Sequence, residues 1–431
     1  MKEDIKISII IPVYNAEEYL KECLDSAVSQ TIEQKEILCV DDGSSDGSFL
    51  ILQRYQEKHS CIKIFRQENK GAGEARNMGL QYAQGKYVSF LDADDLYMDP
   101  RALEEMIYTC ENMGVPVCAG LRRYYYKDGT IEDYELYREY FEDGRNPDGV
   151  VLCFRDRQDE YFYQNYIYDM SVIREKKICF PTYRRYQDTL FFLRYMVSIE
   201  KYVVLPLEFY GYRFSDEAVS RKETYLEDTL KGIRDNAMIA KEYHLDKLKE
   251  VLAYRISEEY SAAIIKNANP EIWKLLCEIR TILFSGNTEE KKPKSEKPKS
   301  EKSESEKSVS ERSVEIVCSF IAGNFNGNSL GAYLKKQGKA GVAVYGLGNF
   351  GMMTVEQLKK AQDLKIYGVD RKVKEREGIV IGPLEEINRQ CDIIIVTPVK
   401  GNREIVAEVK KVWNGSVYGL GEILLKIEKQ G

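Results

Sequence analysis

Three closely spaced aspartates, Asp92, Asp94 and Asp95, directly follow the mainly apolar residues 88–91. The apolar residues predict the end of a buried β-strand, and an open α/β sheet binds ligands in the crevice beyond the carboxyl ends of its strands. Carboxylate oxygens suit Mg²⁺ or Mn²⁺, which usually bind a substrate diphosphate through one or two carboxylates. The spacing therefore predicts a cation site, and a solvated acidic turn is the alternative for an isolated motif of this kind.

The segments around these aspartates predict alternating β-strands and α-helices. Apolar segments typical of buried strands lie at residues 5–13, 37–40, 62–65 and 86–91, and segments of helical spacing separate them. Strands joined by crossover helices run parallel with right-handed connections, so their carboxyl ends share one edge of the sheet. The predicted fold is therefore α/β with a mostly parallel sheet.

Further polar residues lie at the same predicted edge. Asp41 and Asp42 end the second strand, Asn15 follows the first, and a glycine-containing loop precedes Arg76. Carboxylates gathered at one edge repel one another unless a cation or a cationic ligand lies among them. The edge is therefore a predicted ligand site, and the alternative for Asp41 and Asp42 is that they only cap the following helix.

Four motifs in this region resemble those of the family 2 glycosyltransferases, in the same order and with the same spacing. They occupy residues 8–15 (SIIIPVYN), 41–46 (DDGSSD), 71–77 (GAGEARN) and 91–95 (LDADD), and the resemblance extends from about residue 5 to residue 220. It implies a GT-A domain that binds a nucleotide-sugar, with UDP as the expected nucleotide and Mn²⁺ or Mg²⁺ on its diphosphate. The implied donor contacts are Pro12, Tyr14, Asn15, Asp41, Asp42, Arg76 and Asp92, with Asp92 and Asp94 at the metal.

The resemblance continues into residues 170–191 and 210–220. The family usually carries Glu-Asp where this chain has Gln187 and Asp188. The resemblance implies that Asp188 is the catalytic base. Gln187 removes a neighbouring charge, which would lower the pKa of the base or mark a modified acceptor pocket, so the substrate assignment stays open. The alternative for Asp188 is a helix N-cap. Tyr212 and Arg213 match the segment that often lies over the diphosphate in the family, and Ser220 follows in the same segment.

Two aromatic clusters, at residues 124–126 and 161–163, have two interpretations. Aromatic faces and hydroxyls suit stacking against the sugar rings of an acceptor. Large aromatic side chains are also ordinary components of cores and edge strands, and this second interpretation is preferred.

The remaining sequence predicts three further parts after a GT-A domain at residues 1–222. Residues 223–286 have helical spacing, residues 287–315 are rich in Lys, Ser, Glu and Pro and predict a disordered linker, and residues 316–431 predict a small Rossmann-like α/β domain. In that domain a Gly346-x-Gly348-x-x-Gly351 loop joins a strand to a helix, and Asp370 ends the next strand. This context indicates a nucleotide or NAD site, with partner docking as the alternative.

Composition limits the other function classes. The net charge is −7 with mixed signs, which does not favour a nucleic-acid partner, and two histidines make a histidine-based metal site unfavourable. Ten scattered cysteines and the lack of a signal-like or membrane-spanning segment indicate a cytoplasmic protein, with membrane association through partners left open.

The combined prediction is an inverting, metal-dependent glycosyltransferase acting on a glycan or lipid-linked acceptor in surface polysaccharide or glycoconjugate synthesis. The alternatives are a non-catalytic nucleotide-sugar-binding scaffold, for which Gln187 is the only support, and a bifunctional protein whose C-terminal domain performs NAD-linked chemistry. The predicted C-terminal domain contains no Tyr-x-x-x-Lys pair or equivalent hydride-transfer base to support that last alternative.

Overall fold

The computed structural model describes residues 4–126, 128–214, 225–284, 308–325, 330–359, 361, 363–370, 379–387, 391–400, 402–413 and 415–428. The chain divides into two compact units, Met1–Leu248 and Lys249–Gly431. The helical region predicted for residues 223–286 is thus shared between the two units. Ser220 and residues 285–307 of the predicted linker lie outside the described residues, and the helix that begins at Val309 includes the linker's last predicted residues.

The first unit is built on one large mixed sheet. Its strands are β1 (Ile7–Val13), β2 (Lys35–Asp41), β3 (Ile62–Arg66), β4 (Tyr87–Phe90), β5 (Leu96–Tyr97), β6 (Val117–Tyr125), β7 (Ile131–Asp133), β8 (Val150–Leu152), β9 (Tyr166–Asp169) and β10 (Tyr202–Arg213). The order is β3-β2-β1-β4-β9-β6-β10-β5, with β7 on β6 and β8 on β10. The first four strands are parallel, as predicted, and β9 pairs antiparallel with both β4 and β6.

Helices flank this sheet, and the first four pack an apolar stripe against its strands. They are α1 (Leu20–Val28), α2 (Ser48–Lys58), α3 (Ala72–Tyr82), α4 (Ala102–Met113), α5 (Phe154–Arg157), α6 (Met170–Lys176), α7 (Gln187–Met196) and α8 (Leu226–Glu242). All seven residues of β1 are buried, which explains why its sequence is almost continuously apolar. The β-α-β connections leave the carboxyl ends of β1, β2 and β4 at one edge.

The second unit has a five-stranded, all-parallel sheet. Its strands are β11 (Gly341–Tyr345), β12 (Lys365–Val369), β13 (Val380–Ile381), β14 (Ile393–Val396) and β15 (Ser416–Gly419), in the order β13-β12-β11-β14-β15. The helices from the unit boundary onward are α9 (Asp246–Tyr254), α10 (Ser261–Lys266), α11 (Pro270–Phe284), α12 (Val309–Phe325), α13 (Leu330–Lys336), α14 (Asn349–Lys359), α15 (Leu384–Ile387), α16 (Asn402–Val412) and α17 (Leu420–Glu428). The strand order reverses between β11 and β14, which is where open parallel sheets bind ligands.

Candidate functional site

Asp41 and Asp42, at the end of β2, organise the loops at the sheet edge. Asp41 accepts a hydrogen bond from the backbone N–H of Ser44 (3.2 Å) and pairs with Arg66, whose Nε lies 2.8 Å from Oδ2. Asp42 accepts hydrogen bonds from the Gln67 side chain (2.7 Å) and from the backbone N–H groups of residues 70 and 71 (each 2.8 Å). The alternative that these two aspartates only cap α2 is therefore wrong.

The actual cap of α2 comes from Asp46. Its Oδ1 accepts a hydrogen bond from the backbone N–H of Ser48 at 3.0 Å, which satisfies a donor in the first turn. Because Asp46 provides this hydrogen bond, Asp42 is available to hold the loop before α3. Gly71 in that loop has a positive φ of 95°. A residue with a side chain is strained at that φ, so glycine suits this position.

Asn15 ties the end of β1 to the loop after β2. Its Oδ1 accepts a hydrogen bond from the backbone N–H of Ser45 (2.8 Å), and its own N–H donates to Ser44 Oγ (3.1 Å). Pro12 is buried within β1, whereas the Tyr14 side chain is 53% exposed. Tyr14 and Asn15 are thus open to a ligand, whereas Pro12 is not.

The three aspartates after β4 have different environments. Asp92 is held on both oxygens: Arg76 donates at 2.6 Å to Oδ1, and Gln164 donates at 3.0 Å to Oδ2. Burial alone would raise the pKa of Asp92, but the Arg76 charge and these hydrogen bonds hold it below its ordinary value. Asp92 is therefore a fixed carboxylate at the floor of the site.

Asp95 fastens β10 to the aspartate loop. Its two oxygens accept hydrogen bonds from the Tyr210 hydroxyl (2.7 Å) and the Arg213 backbone N–H (2.8 Å). Burial, followed by the nearby charges of Asp94 and Asp92, raises the pKa of Asp95 well above its usual value. Asp95 is therefore a structural anchor.

Asp94 has an exposed side chain, unlike its two neighbours. Desolvation by the surrounding protein and the charge of Asp92 raise the pKa of Asp94, so an added cation would relieve repulsion there. Among the described residues no three His, Cys, Asp or Glu side chains are grouped as a complete metal site. A Mg²⁺-type ion takes one or two carboxylates and fills its remaining positions with phosphate oxygens and water, so Asp92 and Asp94 are the residues that would hold one.

Arg213 and Tyr212 lie beside these aspartates at the end of β10. Arg213 donates from Nε to the Asp94 carbonyl (2.9 Å) and from Nη2 to Glu22 (2.6 Å). Burial raises the pKa of Tyr212 to about 12, so its hydroxyl stays protonated and able to donate at neutral pH. Both residues thus lie next to the aspartate loop, and their contact with a diphosphate stays a prediction.

Asp188 is the second residue of α7, half-buried near Arg76 and Asp92. Burial raises the pKa of Asp188, the Arg76 charge lowers it and the Asp92 charge raises it again, with a net upward shift. Tyr186, with a φ of 65°, occupies the N-cap position. The alternative that Asp188 is the N-cap is therefore wrong, and a carboxylate with a raised pKa suits proton transfer.

The polar residues that hold Oδ2 of Asp92 were not predicted from the sequence. The turn Tyr163–Asn165 brings Gln164 to Asp92, and Arg122 supports that turn through 3.0 Å hydrogen bonds to both Gln164 and Asn165. Tyr163 is only 1% exposed, so its aromatic ring belongs to the core. The other five aromatic residues at 124–126 and 161–162 are half-buried, so both interpretations of those residues stay open. The sequence feature from which these contacts could have been predicted was a Gln-Asn pair inside an aromatic segment.

In the second unit, the three loop glycines have three different surroundings. Gly346 has a φ of 87°, and a Cβ on Gly351 would lie 1.9 Å from the Gly346 carbonyl oxygen. A Cβ on Gly348 would meet nothing within 4 Å. Asp370 lies at the same loop and accepts a hydrogen bond from the Leu347 backbone N–H at 2.6 Å. The first and third glycines thus serve the turn and its packing, and the second faces open space.

Comparison with known proteins agrees with the geometry of the first unit. The family model "Glycosyl transferase family 2" matches residues 8–189. The chain is 27% identical over 249 residues to the putative glycosyltransferase EpsH of Bacillus subtilis, covering 57% of this chain and 71% of that protein. It is 31% identical over 202 residues to the poly(ribitol-phosphate) beta-glucosyltransferase of Bacillus spizizenii, covering 46% of this chain but only 30% of that protein.

A solved structure shows the same fold. The crystal structure of S. aureus TarS 1–349 in complex with UDP-GlcNAc superposes with a TM-score of 0.54 at 22% identity, covering 64% of this chain and 81% of that one. Within the described residues, the structure has no helix long and apolar enough to cross a membrane.

Proposed function

We propose that this chain, whose residues 8–189 match the glycosyltransferase family 2 model, transfers a sugar from a UDP-linked donor to a hydroxyl acceptor, with inversion and with a divalent cation. The observation that carries the proposal is that exposed Asp94 and half-buried Asp188 both interact electrostatically with the same pair, Asp92 and Arg76, and that the pKa of each is raised. The UDP-GlcNAc complex of TarS supports a UDP-sugar as the donor class. The acceptor that we propose is glycan or lipid-linked, in surface polysaccharide or glycoconjugate synthesis, and the name of the poly(ribitol-phosphate) beta-glucosyltransferase supports a polymeric acceptor.

In this mechanism Asp188 accepts the proton of the acceptor hydroxyl while that oxygen attacks the anomeric carbon. The bond between the anomeric carbon and the diphosphate oxygen breaks, and the nucleoside diphosphate leaves with the electron pair. A cation bound at Asp94 would offset the negative charge that grows on the leaving diphosphate. Arg76 and Gln164 keep Asp92 ionised and fixed beside this cation site.

A panel of nucleotide-sugars tests the donor class. We expect slow, metal-stimulated hydrolysis of a UDP-sugar, measured as UDP release with Mn²⁺ or Mg²⁺, and no comparable hydrolysis of GDP- or CDP-linked sugars. Water replaces the acceptor in this assay, so the acceptor need not be known. If the chain binds UDP-sugars tightly but turns over none of them, even with glycan acceptors added, the scaffold alternative replaces the enzyme.

The pH dependence of turnover follows from the raised pKa of Asp188. A base must be deprotonated to act, so kcat is lost as the pH falls through that pKa, at a pH above the ordinary aspartate value of about 3.9. The pKa of Asp94 is also raised, but protons and metal would compete for its carboxylate. The contribution of Asp94 to the pH profile should therefore shift with Mn²⁺ concentration. An acid limb of kcat at saturating metal that lies at or below the ordinary value would contradict this assignment.

The second unit favours a second binding function, for a dinucleotide such as NAD. Support comes from the three glycine environments and the strand order, which match those of a Rossmann-like domain: a tight turn at Gly346, an open approach at Gly348 and close packing at Gly351. Asp370 would take ribose hydroxyls and would repel a 2′-phosphate, so NAD is favoured over NADP. Arg371, beside Asp370 in the sequence, lies outside the described residues.

Calorimetry on the full chain with NAD, NADP and UDP tests this binding function. Gly348→Val should weaken NAD binding at least about tenfold, because its side chain fills the open space where a phosphate would approach the backbone. UDP-sugar hydrolysis by the first unit serves as the internal control and should not change. If NAD does not bind, or binds the variant equally well, the loop is a packing turn and partner docking is the better interpretation.

A further inference from the structure

We propose that α8, which lies beyond the family-matched residues 8–189, positions Asp188 for catalysis. The sequence assigned this helix to packing alone. Its residues contact the chain on both sides of Asp188, and each contact fixes a different part of the segment 183–189. The inference rests on the proposed role of Asp188 as the base.

Gly232 of α8 packs tightly against Tyr186. A Cβ on Gly232 would lie 2.7 Å from Tyr186 Cδ1, 2.8 Å from its Cβ and 3.0 Å from its carbonyl oxygen. Tyr186 has a φ of 65°, which a bulky residue rarely adopts unless its surroundings hold it there. Because Tyr186 is the N-cap of α7, its conformation sets where the first turn, and therefore Asp188, begins.

A buried hydrogen-bond chain holds the other side of Asp188. Asn236 of α8 donates to Thr189 Oγ1 at 2.8 Å, and the Thr189 hydroxyl donates to the Tyr186 carbonyl at 3.2 Å. The Tyr186 hydroxyl in turn donates to buried Glu160 at 3.1 Å. Asn236 is fully buried and Thr189 is 1% exposed, so these bonds are shielded from water.

Two acidic residues of the same helix hold the loop that enters α7. Asp228 accepts a hydrogen bond from the Arg184 backbone N–H at 2.9 Å, and Asp235 accepts one from the Tyr183 hydroxyl. The four contacting positions of α8 are residues 228, 232, 235 and 236, a spacing that puts them on one helix face. One face of α8 therefore holds the segment on both sides of Asp188.

Such a contact matters for rate because general-base catalysis depends on geometry. A displacement of about 1 Å at a reacting group can cost about a hundredfold in turnover without breaking the fold. The predicted donor contacts named above lie at the ends of β1, β2, β4 and β10 and in α3, and none of them belongs to α8. Loosening α8 should therefore lower kcat while leaving nucleotide binding intact.

The first test is Gly232→Ala, with Met238→Ala as the matched control on an exposed position of the same helix. We expect Gly232→Ala to lower kcat for UDP-sugar hydrolysis at least about tenfold, with the affinity for UDP within about twofold of wild type. Met238→Ala should change neither quantity. A folded Gly232→Ala protein with wild-type kcat would overturn the proposal.

The second pair of variants removes or keeps one hydroxyl. Thr189→Val removes the group that links Asn236 to Tyr186, whereas Thr189→Ser retains it. We expect Thr189→Val to lower kcat and Thr189→Ser to restore most of it. Equal activity in the two variants would contradict the role of this hydrogen-bond chain, and this pair serves if Gly232→Ala does not fold.

A double-mutant cycle separates the positioning role from general damage. In an Asp188→Asn background, Gly232→Ala should have no further effect on kcat, because there is no base left to displace. Additive losses would overturn the proposal. If Asp188→Asn alone keeps full activity, the base assignment has failed, and that outcome is distinguishable from the failure of α8 as a positioning element.

Hydrogen exchange gives a readout that needs no substrate. Backbone amides at residues 186–190 should exchange faster in Gly232→Ala, while amides of β1, β2 and β4 should keep wild-type exchange rates. Unchanged exchange at the start of α7 would show that α8 does not hold this segment.

Discussion

Replacing Asp94 by Asn is expected to reduce Mn²⁺- or Mg²⁺-dependent sugar transfer by about a hundredfold to a thousandfold. The amide keeps the size of the side chain but removes the charge that would hold the cation, and loss of one such electrostatic contact typically has this size. The exposed Asp94 carboxylate lies beside the charge of Asp92, so its neutralisation should leave the melting temperature unchanged or slightly raised. Initial rates at several metal concentrations, with UDP affinity measured in parallel, provide the test.

A matched control for Asp94→Asn is Glu57→Gln. Glu57 is an exposed acid near the carboxyl end of α2, which the crossover connection places at the opposite edge of the sheet from the site. The control should have wild-type rates and metal dependence. Full activity of Asp94→Asn, or full activity of the wild type in excess chelator, would contradict a metal bound at this residue.

The convergence of Asp41, Asp42 and the aspartates after β4 could be predicted because it depends on local pattern. Apolar strand segments and amphipathic helices alternate up to residue 91, and parallel connections then require the strand ends to meet. The same reasoning could not tell which aspartate faces solvent. The Asp95 carboxylate accepts a hydrogen bond from Tyr210, which lies 115 residues later in the sequence. No periodicity in the sequence predicts so distant a contact.

The arrangement around Asp92 and Asp188 was also beyond the sequence pattern. Gln164 reaches Asp92 only because β9 inserts antiparallel between β4 and β6, which the alternation of the first strands does not foretell. The contact between Gly232 and Tyr186 joins a glycine within a helix to a residue of positive φ. A single sequence does not indicate that these two residues are in contact, because the contact arises from packing between distant segments.

Replacing Asp188 by Asn is the second change with a large expected effect, a fall in kcat of about a hundredfold to ten-thousandfold. Asn cannot accept the acceptor's proton, and Asp188 is not the N-cap of α7, so the helix should form normally. The affinity for UDP should barely change, because a general base acts in the transition state and contributes little to ground-state binding. Single-turnover rates and UDP calorimetry on the same preparation measure the two quantities.

Asp169→Asn provides the matched control for Asp188→Asn, since Asp169 lies at the start of the neighbouring helix α6. Asp169 caps that helix by accepting a 2.7 Å hydrogen bond from the Ser171 backbone N–H, and Asn can cap equally well. This control should keep both kcat and UDP affinity. If Asp188→Asn instead loses UDP affinity as steeply as kcat, Asp188 contacts the donor and is not the base. The acid limb of the pH profile would then have to come from Asp94, and it would move with metal concentration rather than disappear in Asp188→Asn.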